Sequence, residues 1–231
     1  MARPAGTTSR RAASIFVLAG ANGAGKSSIG GAALLESGTT FYNPDEAARR
    51  IALRNAHLDP PPKQAEINAV AWSEWRALLE RAIAQRLDFA FETTLGGQTI
   101  TELLEKATDE GIAVRVWFAG LATVELHLDR VRRRVAKGGH DIPEATIRER
   151  YDRGRENLIR LLPRLTALRL YDNSAEADPD TGMMPTPRLL LHCQDRAIVA
   201  PQNLKTLLVA TPAWAKPIVA AAIKLHLQRR R

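Results

Sequence analysis

GANGAGKSS, Gly20 to Ser28, meets the pattern G-x-x-x-x-G-K-[ST] at every fixed position. The apolar run SIFVLA (residues 14–19) precedes it, and a helical pattern follows from about Lys26 to Glu36. Strand, glycine-rich turn and helix in that order make a phosphate-binding loop. Gly20, Gly23 and Gly25 permit positive φ and close backbone approach, with Ala21, Asn22 and Ala24 between them. Successive N–H groups and the helix N-terminus then face the β- and γ-phosphates of ATP. Lys26 neutralises those phosphates, Ser27 completes the motif and offers its hydroxyl to Mg²⁺, and Ser28 follows as a further ATP-binding candidate.

Outward from this loop, apolar runs alternate with helical patterns. TTFYN (39–43) reads as a second strand ended by Pro44, and DEAARRIALRNA as a short helix. KQAEINAVAWSEWRALLERAIAQRL is a long helix with Trp72, Trp75, Leu79 and Ile83 on one stripe; the tryptophans are expected in the core, with base stacking as the less favoured alternative. DFAFETT, IAVRVWFAG and ALRLYDNS are further strands, separated by helices. PRLLLHC is expected as a late edge strand, and the tail from Pro201 as helical and proline-interrupted. This order predicts an α/β fold: a P-loop kinase-like, doubly wound parallel sheet with helices on both faces and a helical lid. The expected division is a disordered basic lead over 1–13, a kinase domain over 14–200 with its lid at about 123–162, and a helical tail over 201–231.

Composition narrows the classes. With 231 residues and 45% of them hydrophobic, the chain can bury one sizeable core. No apolar run approaches the ~20 residues that span a bilayer. Cys193 is the single cysteine, so an internal disulfide is excluded and a cytoplasmic home is expected. The net charge of +8 invites a nucleic-acid reading. Against it, the arginines are spread over several helices, aromatics are only 5%, and no basic-aromatic stacking surface shows. Cations converging on a polyphosphate explain the balance better.

In a doubly wound sheet the ligand lies beyond the carboxyl ends of the strands. There the second strand ends in Asp45, the third in Glu92, Thr93 and Thr94, and the fifth in Asp172. A carboxylate opposite the γ-phosphate can accept the proton of an attacking hydroxyl and align it. Asp45 is the leading candidate, although an aspartate there also suits an N-cap. Glu92 is a candidate for binding substrate hydroxyls or a magnesium-bound water, while Asp172 reads as a turn residue. On the next helices Val124, Leu128, Val131 and Val135 form an apolar stripe, beside a second stripe of His127, Arg130, Arg134 and Lys137. A glycine-containing basic loop, KGGHD, joins these helices as a lid would, with His140 on the substrate side. Arg130 and Arg134 are the candidates for stabilising the transferring phosphoryl group. No ABC signature, no strand ending in paired acids and no N-K-x-D occurs, which favours a small kinase over a motor or a switch.

GANGAGKSS, NPDEAAR, FETTL, RVRRRVAKGGHDIPEATIRERYDRGRENL and YDNS together resemble the zeta toxin family, most of all the branch often labelled predicted ABC-type ATPases. The resemblance spans about 14–174 and implies a P-loop kinase fold. It implies phosphorylation by ATP of a UDP-activated amino sugar, typically UDP-N-acetylglucosamine on its 3′-hydroxyl. Asp45 would then be the base, Lys26 the P-loop lysine, and Glu92 with Thr94 the substrate holders. The first lid arginine would be Arg130 or Arg134; the second falls near Lys137 and His140, where no arginine stands. A separate small antitoxin is the implied partner. Two other acceptor classes remain open, another small molecule (an antibiotic or nucleoside) and a polynucleotide end. So does an ATP-binding regulatory module without transfer, against which the presence of Asp45 argues.

Overall fold

A computed structural model describes residues 13–30, 41–176, 181 and 185–229. SIFVLA forms β1 (Ser14–Ala19), an almost wholly buried strand. It lies between β3 (Phe89–Thr93) and β4 (Ala113–Gly120), both parallel to it. β2 (Phe41–Tyr42) pairs outside β3, and β5 (Ala167–Asp172) outside β4, again parallel. An antiparallel hairpin, β6 (Arg188–Gln194) and β7 (Ala197–Ala200), completes the order β2-β3-β1-β4-β5-β6-β7. The chain runs outward from β1 to β2, returns to β3 and then crosses to β4. Strand order therefore reverses around β1, and the crevice opens beyond its carboxyl end.

The late strand was expected at the edge, but β7 covers β6. The hairpin turns on Asp195 and Arg196 at φ 46° and 65°. Two-residue turns of this kind need positive φ at both positions, and the usual Asn-Gly or Asp-Gly signal is absent. Nothing in QDRA announced a seventh strand.

Helix α1 begins at 27–30, directly after the loop; the rest of its expected span lies outside the described residues. Following it are α2 (Pro44–Arg54), α3 (Gln64–Gln85), α4 (Gln98–Asp109), α5 (Val124–Val135), α6 (Glu144–Leu161), α7 (Leu204–Ala210) and α8 (Lys216–Arg229). The main core joins Ile15 and Val17 of β1 to Trp75, Leu79 and Ile83 of α3, Leu158 of α6 and Ile218 of α8. On the opposite face Phe16, Leu18, Ala90, Trp117 and Tyr171 pack with Ile29 of α1. Among the described residues no helix is long and apolar enough to cross a membrane.

The stripe predicted on α5 is real: Val124, Leu128, Val131 and Val135 pack with Ile142 and Ile147 in a core of their own. Helix α6 then runs from this small core into the main one. The tail after Pro201 belongs to the main core through Trp214, Ala215, Ile218 and Val219. Of the lead expected over 1–13, only Ala13 is described; it is buried, and its carbonyl accepts from Ala113 N.

Candidate active site

Between β1 and α1 the backbone is wound as the motif requires, with Gly20, Gly23 and Gly25 at φ 141°, 82° and 73°. At Gly25 space also excludes a side chain, since a Cβ would come 2.3 Å from Asn173 Nδ2. That amide donates to the Ala24 carbonyl at 2.9 Å, so the residue after β5 braces the loop from behind. Lys26 folds back over the loop, its Nζ donating to the Gly20 carbonyl at 2.8 Å. The same Nζ lies 3.4 Å from Glu92 Oε1. Glu92 arrives there because it pairs in register with Leu18, near the end of β1. Burial lowers the Lys26 ammonium from its ordinary value, and the Glu92 charge opposes that fall. A phosphate oxygen would meet a lysine already stripped of water and held by the loop. Ser27 is exposed in the first turn of α1.

Asp45 is not the helix cap. Asn43 Oδ1 accepts from Asp45 N at 2.9 Å and Glu46 N at 3.3 Å, with Pro44 in the first helical position. Proline at N1 carries no donor there and moves the cap one residue earlier. Asn43 also donates from Nδ2 to Glu92 Oε2 at 3.3 Å, tying the end of β2 to the Lys26–Glu92 pair. The Asp45 carboxylate, exposed in the first turn of α2, is released from capping.

Helix α6 supplies a residue that the motif reading overlooked. Arg150 of α6 donates from Nη1 to Asn22 Oδ1 in the loop at 2.9 Å. Burial lowers its guanidinium from the ordinary value, and the Asp45 charge opposes that. Gly154, one turn on, lets α6 come this close: a Cβ there would sit 2.8 Å from the Thr94 carbonyl. After Thr94, buried Leu95 is held at φ 57°, a strained value for a bulky residue. Thr93 Oγ1 takes the Leu95 N–H at 3.0 Å and Asn157 Nδ2 donates to its carbonyl at 2.8 Å, which holds the turn. Arg134 donates to the His140 carbonyl at 3.0 Å and shapes the lid loop. Arg130 donates to the Ala175 carbonyl at 3.0 Å. Asp172 accepts from Ser174 and pairs with Arg188 at 3.3 Å, in the turn role expected of it.

His127 was expected on the cationic stripe and instead lies under the loop, 1% exposed. Its Nδ1 is 2.7 Å from the Asn22 carbonyl, which can only accept, so Nδ1 carries the proton. Burial, foremost, pushes its pKa down to about 4, so it is neutral at pH 7; the Asn22 bond opposes the fall and the charges of Lys26, Arg130 and Arg155 add to it. Asn22 thus meets α5 through its backbone and α6 through its side chain.

Lys26, Asp45, Glu92, Thr94, His140 and Arg150 all line one cleft of about 440 Å³. Trp72 and Trp75 line it too. Trp75 is buried as expected, but Trp72, expected beside it in the core, is exposed.

The sequence profile of the zeta toxin family matches residues 2–177, about three quarters of the chain. The chain belongs to the zeta toxin family. It is 31% identical over 137 residues to an uncharacterised protein of Haemophilus influenzae, covering 57% of this chain and 88% of that one. In fold it is similar to a structure from the PezAT chromosomal toxin-antitoxin system of Streptococcus pneumoniae. That likeness has a TM-score of 0.57 and 15% identity, over 98% of this chain and 90% of that one. A second likeness, to AvrRxo1-ORF1:-ORF2 with ATP, has a TM-score of 0.58 and 16% identity, over 93% of this chain and 76% of that one. Family and fold together support an ATP-using phosphotransferase.

Signals for three overlooked residues of this zeta toxin family member do exist in the sequence. Pro44 marks Asn43 as the cap. Gly154 inside a helix marks a close approach, and Arg150 lies on the same face one turn earlier. Asn173 was hidden by the turn chemistry of DNS, and His127 carries no signal that separates it from its cationic neighbours.

Proposed function

We propose that the protein transfers the γ-phosphoryl group of ATP to a hydroxyl of a UDP-activated amino sugar such as UDP-N-acetylglucosamine. The observation that carries this reading is the uncapped Asp45 carboxylate, lining one cleft with Lys26, Glu92 and Arg150. Asp45 takes the proton of the acceptor hydroxyl as that oxygen bonds to the γ-phosphorus. The bond from phosphorus to the β–γ bridging oxygen breaks, and ADP leaves. Lys26 and the loop N–H groups hold the β- and γ-oxygens. Arg150 is the cation best placed to meet charge on the transferring group, with Arg134 and Arg130 the further candidates. Glu92 and Thr94 orient the acceptor, and His140 closes the lid side of the cleft. The exposed Ser27 hydroxyl after Lys26 suits Mg²⁺, which when bound neutralises charge on the phosphate oxygens.

A cleft of about 440 Å³ is in the range of small-ligand sites, which favours a small acceptor over a polynucleotide end. An inhibitory protein partner is part of the same proposal, because one similar structure comes from a toxin-antitoxin system and another from a two-protein complex. A cytoplasmic location goes with it, supported by the lone, buried Cys193.

The test is incubation with MgATP and UDP-N-acetylglucosamine, followed by mass spectrometry. A sugar nucleotide heavier by one phosphate is expected. ATP consumption with a different phosphorylated metabolite in a cell extract would replace this acceptor with that one.

A further inference from the structure

Trp72 has the direction of a core residue and the exposure of a surface one. It stands seven residues before Leu79 and eleven before Ile83, close to two and three whole helical turns. The three side chains therefore leave α3 in nearly the same direction. Leu79 is 0% exposed and Ile83 1%, both against the main core, whereas Trp72 is 45% exposed. What differs is the surrounding: in the first half of α3 this stripe faces the cleft, which Asn68, one turn before Trp72, lines as well. An indole left open in a core-facing stripe is apolar surface that a ligand can cover.

Its position is firmly held. The Tyr42 hydroxyl donates to the Ala71 carbonyl at 2.7 Å, pinning α3 to β2 just before Asn43 and Asp45. The guanidinium of Arg76 lies 5.7 Å from the Trp72 ring centroid, and Glu80 anchors it at 2.8 Å. Ile142 and Pro143 of the lid loop add apolar surface to the same cleft.

We propose that Trp72 is the stacking wall of the acceptor site. The molecule whose hydroxyl is phosphorylated carries a ring with a flat apolar face, a nucleobase or one face of a pyranose, and that ring lies on the indole. The proposal rests on the reading of this cleft as a kinase acceptor site. Lys26 and the loop hold the phosphoryl donor, Asp45 faces the hydroxyl, and Trp72 fixes how far from that hydroxyl the ring must be. Acceptors that lack a ring leave the indole uncovered and bind poorly.

Calorimetric titration of the full chain in the presence of ADP tests this with three probes: UDP-N-acetylglucosamine, uridine monophosphate and N-acetylglucosamine. Trp72→Ala is expected to weaken the ring-bearing probes by about 5- to 150-fold, the measure of a lost base–aromatic stack. Trp72→Phe, which keeps a smaller flat face, is expected to recover part of that loss. ADP binding and the melting temperature stay at parental values in both variants, which separates a lost contact from a disturbed fold. Loss confined to uridine monophosphate and the sugar nucleotide assigns the wall to the base; loss for N-acetylglucosamine assigns it to the pyranose. Equal binding of the probes by parent and Trp72→Ala overturns the stacking wall and leaves the kinase reading standing. Failure of all three to bind the parent, with ADP bound normally, overturns the wall together with the nucleotide-sugar reading.

Discussion

Lowering the pH should destabilise the fold through His127, which packs under the phosphate loop. In the folded protein this ring is buried and neutral, with a pKa of about 4 against 6.5 for an unperturbed histidine. The unfolded chain therefore binds the proton first as pH falls. Stability from this group is fully present above about pH 6.5 and drains away between 6.5 and about 4. At ~1.4 kcal/mol per pH unit the whole loss is on the order of 3 kcal/mol, of which about 2 kcal/mol is gone by pH 5. Among the described residues the Asn22 carbonyl is the one hydrogen-bond partner of the ring and Nε2 has none, so little favours the charged form. Urea unfolding at pH 7.5 and pH 5 measures the loss in the parent and in His127→Asn. Asparagine puts an amide N–H near the place of Nδ1 and cannot take up a proton. The parent should lose about 2 kcal/mol more than the variant between the two pH values. Equal losses would mean that His127 does not titrate in a buried site, and the account of the loop's support would fall.

Two further outcomes follow from the packing and the lid. Trp214→Ala removes a side chain that is 3% exposed, stacks on Phe118 and fills the space beside Gly120, where a Cβ would come 2.2 Å from the indole. It should cost about 3–5 kcal/mol, on the order of 6–20 °C in melting temperature for a chain of this size; a loss under about 1 kcal/mol would show that the tail is not part of the core. Arg150→Ala should lower kcat for phosphoryl transfer by about 10²–10³-fold, with Arg150→Lys in between and melting nearly parental; an unchanged kcat would remove Arg150 from the transfer step.

The parallel strands, the loop and helices α5 and α6 were legible because each rests on a local signal: an apolar run, a glycine pattern, a helical stripe. The site is less legible where it depends on contacts distant in sequence. Arg150 meets Asn22 across 128 positions and Asn173 meets Ala24 across 149, and no spacing rule reports such pairs. His127 and Trp72 were misjudged for opposite reasons. A charged stripe hid a ring that the phosphate loop buries, and a core stripe hid a ring that the cleft leaves open. β6 was expected as a late strand, but its partner β7 was missed because the positive-φ turn between them is built from Asp195 and Arg196 rather than glycine.

The central claim is that Asp45 accepts the proton of the acceptor hydroxyl, and Asp45→Asn tests it most directly. Asn43 caps α2, so the substitution leaves the cap intact and removes only the charge. Phosphoryl transfer from MgATP to UDP-N-acetylglucosamine is measured beside ATP binding and the melting temperature. The account predicts parental ATP binding, melting within a few degrees of the parent and transfer lower by about 10²–10⁴-fold. Near-parental transfer in a well-folded Asp45→Asn protein would contradict it.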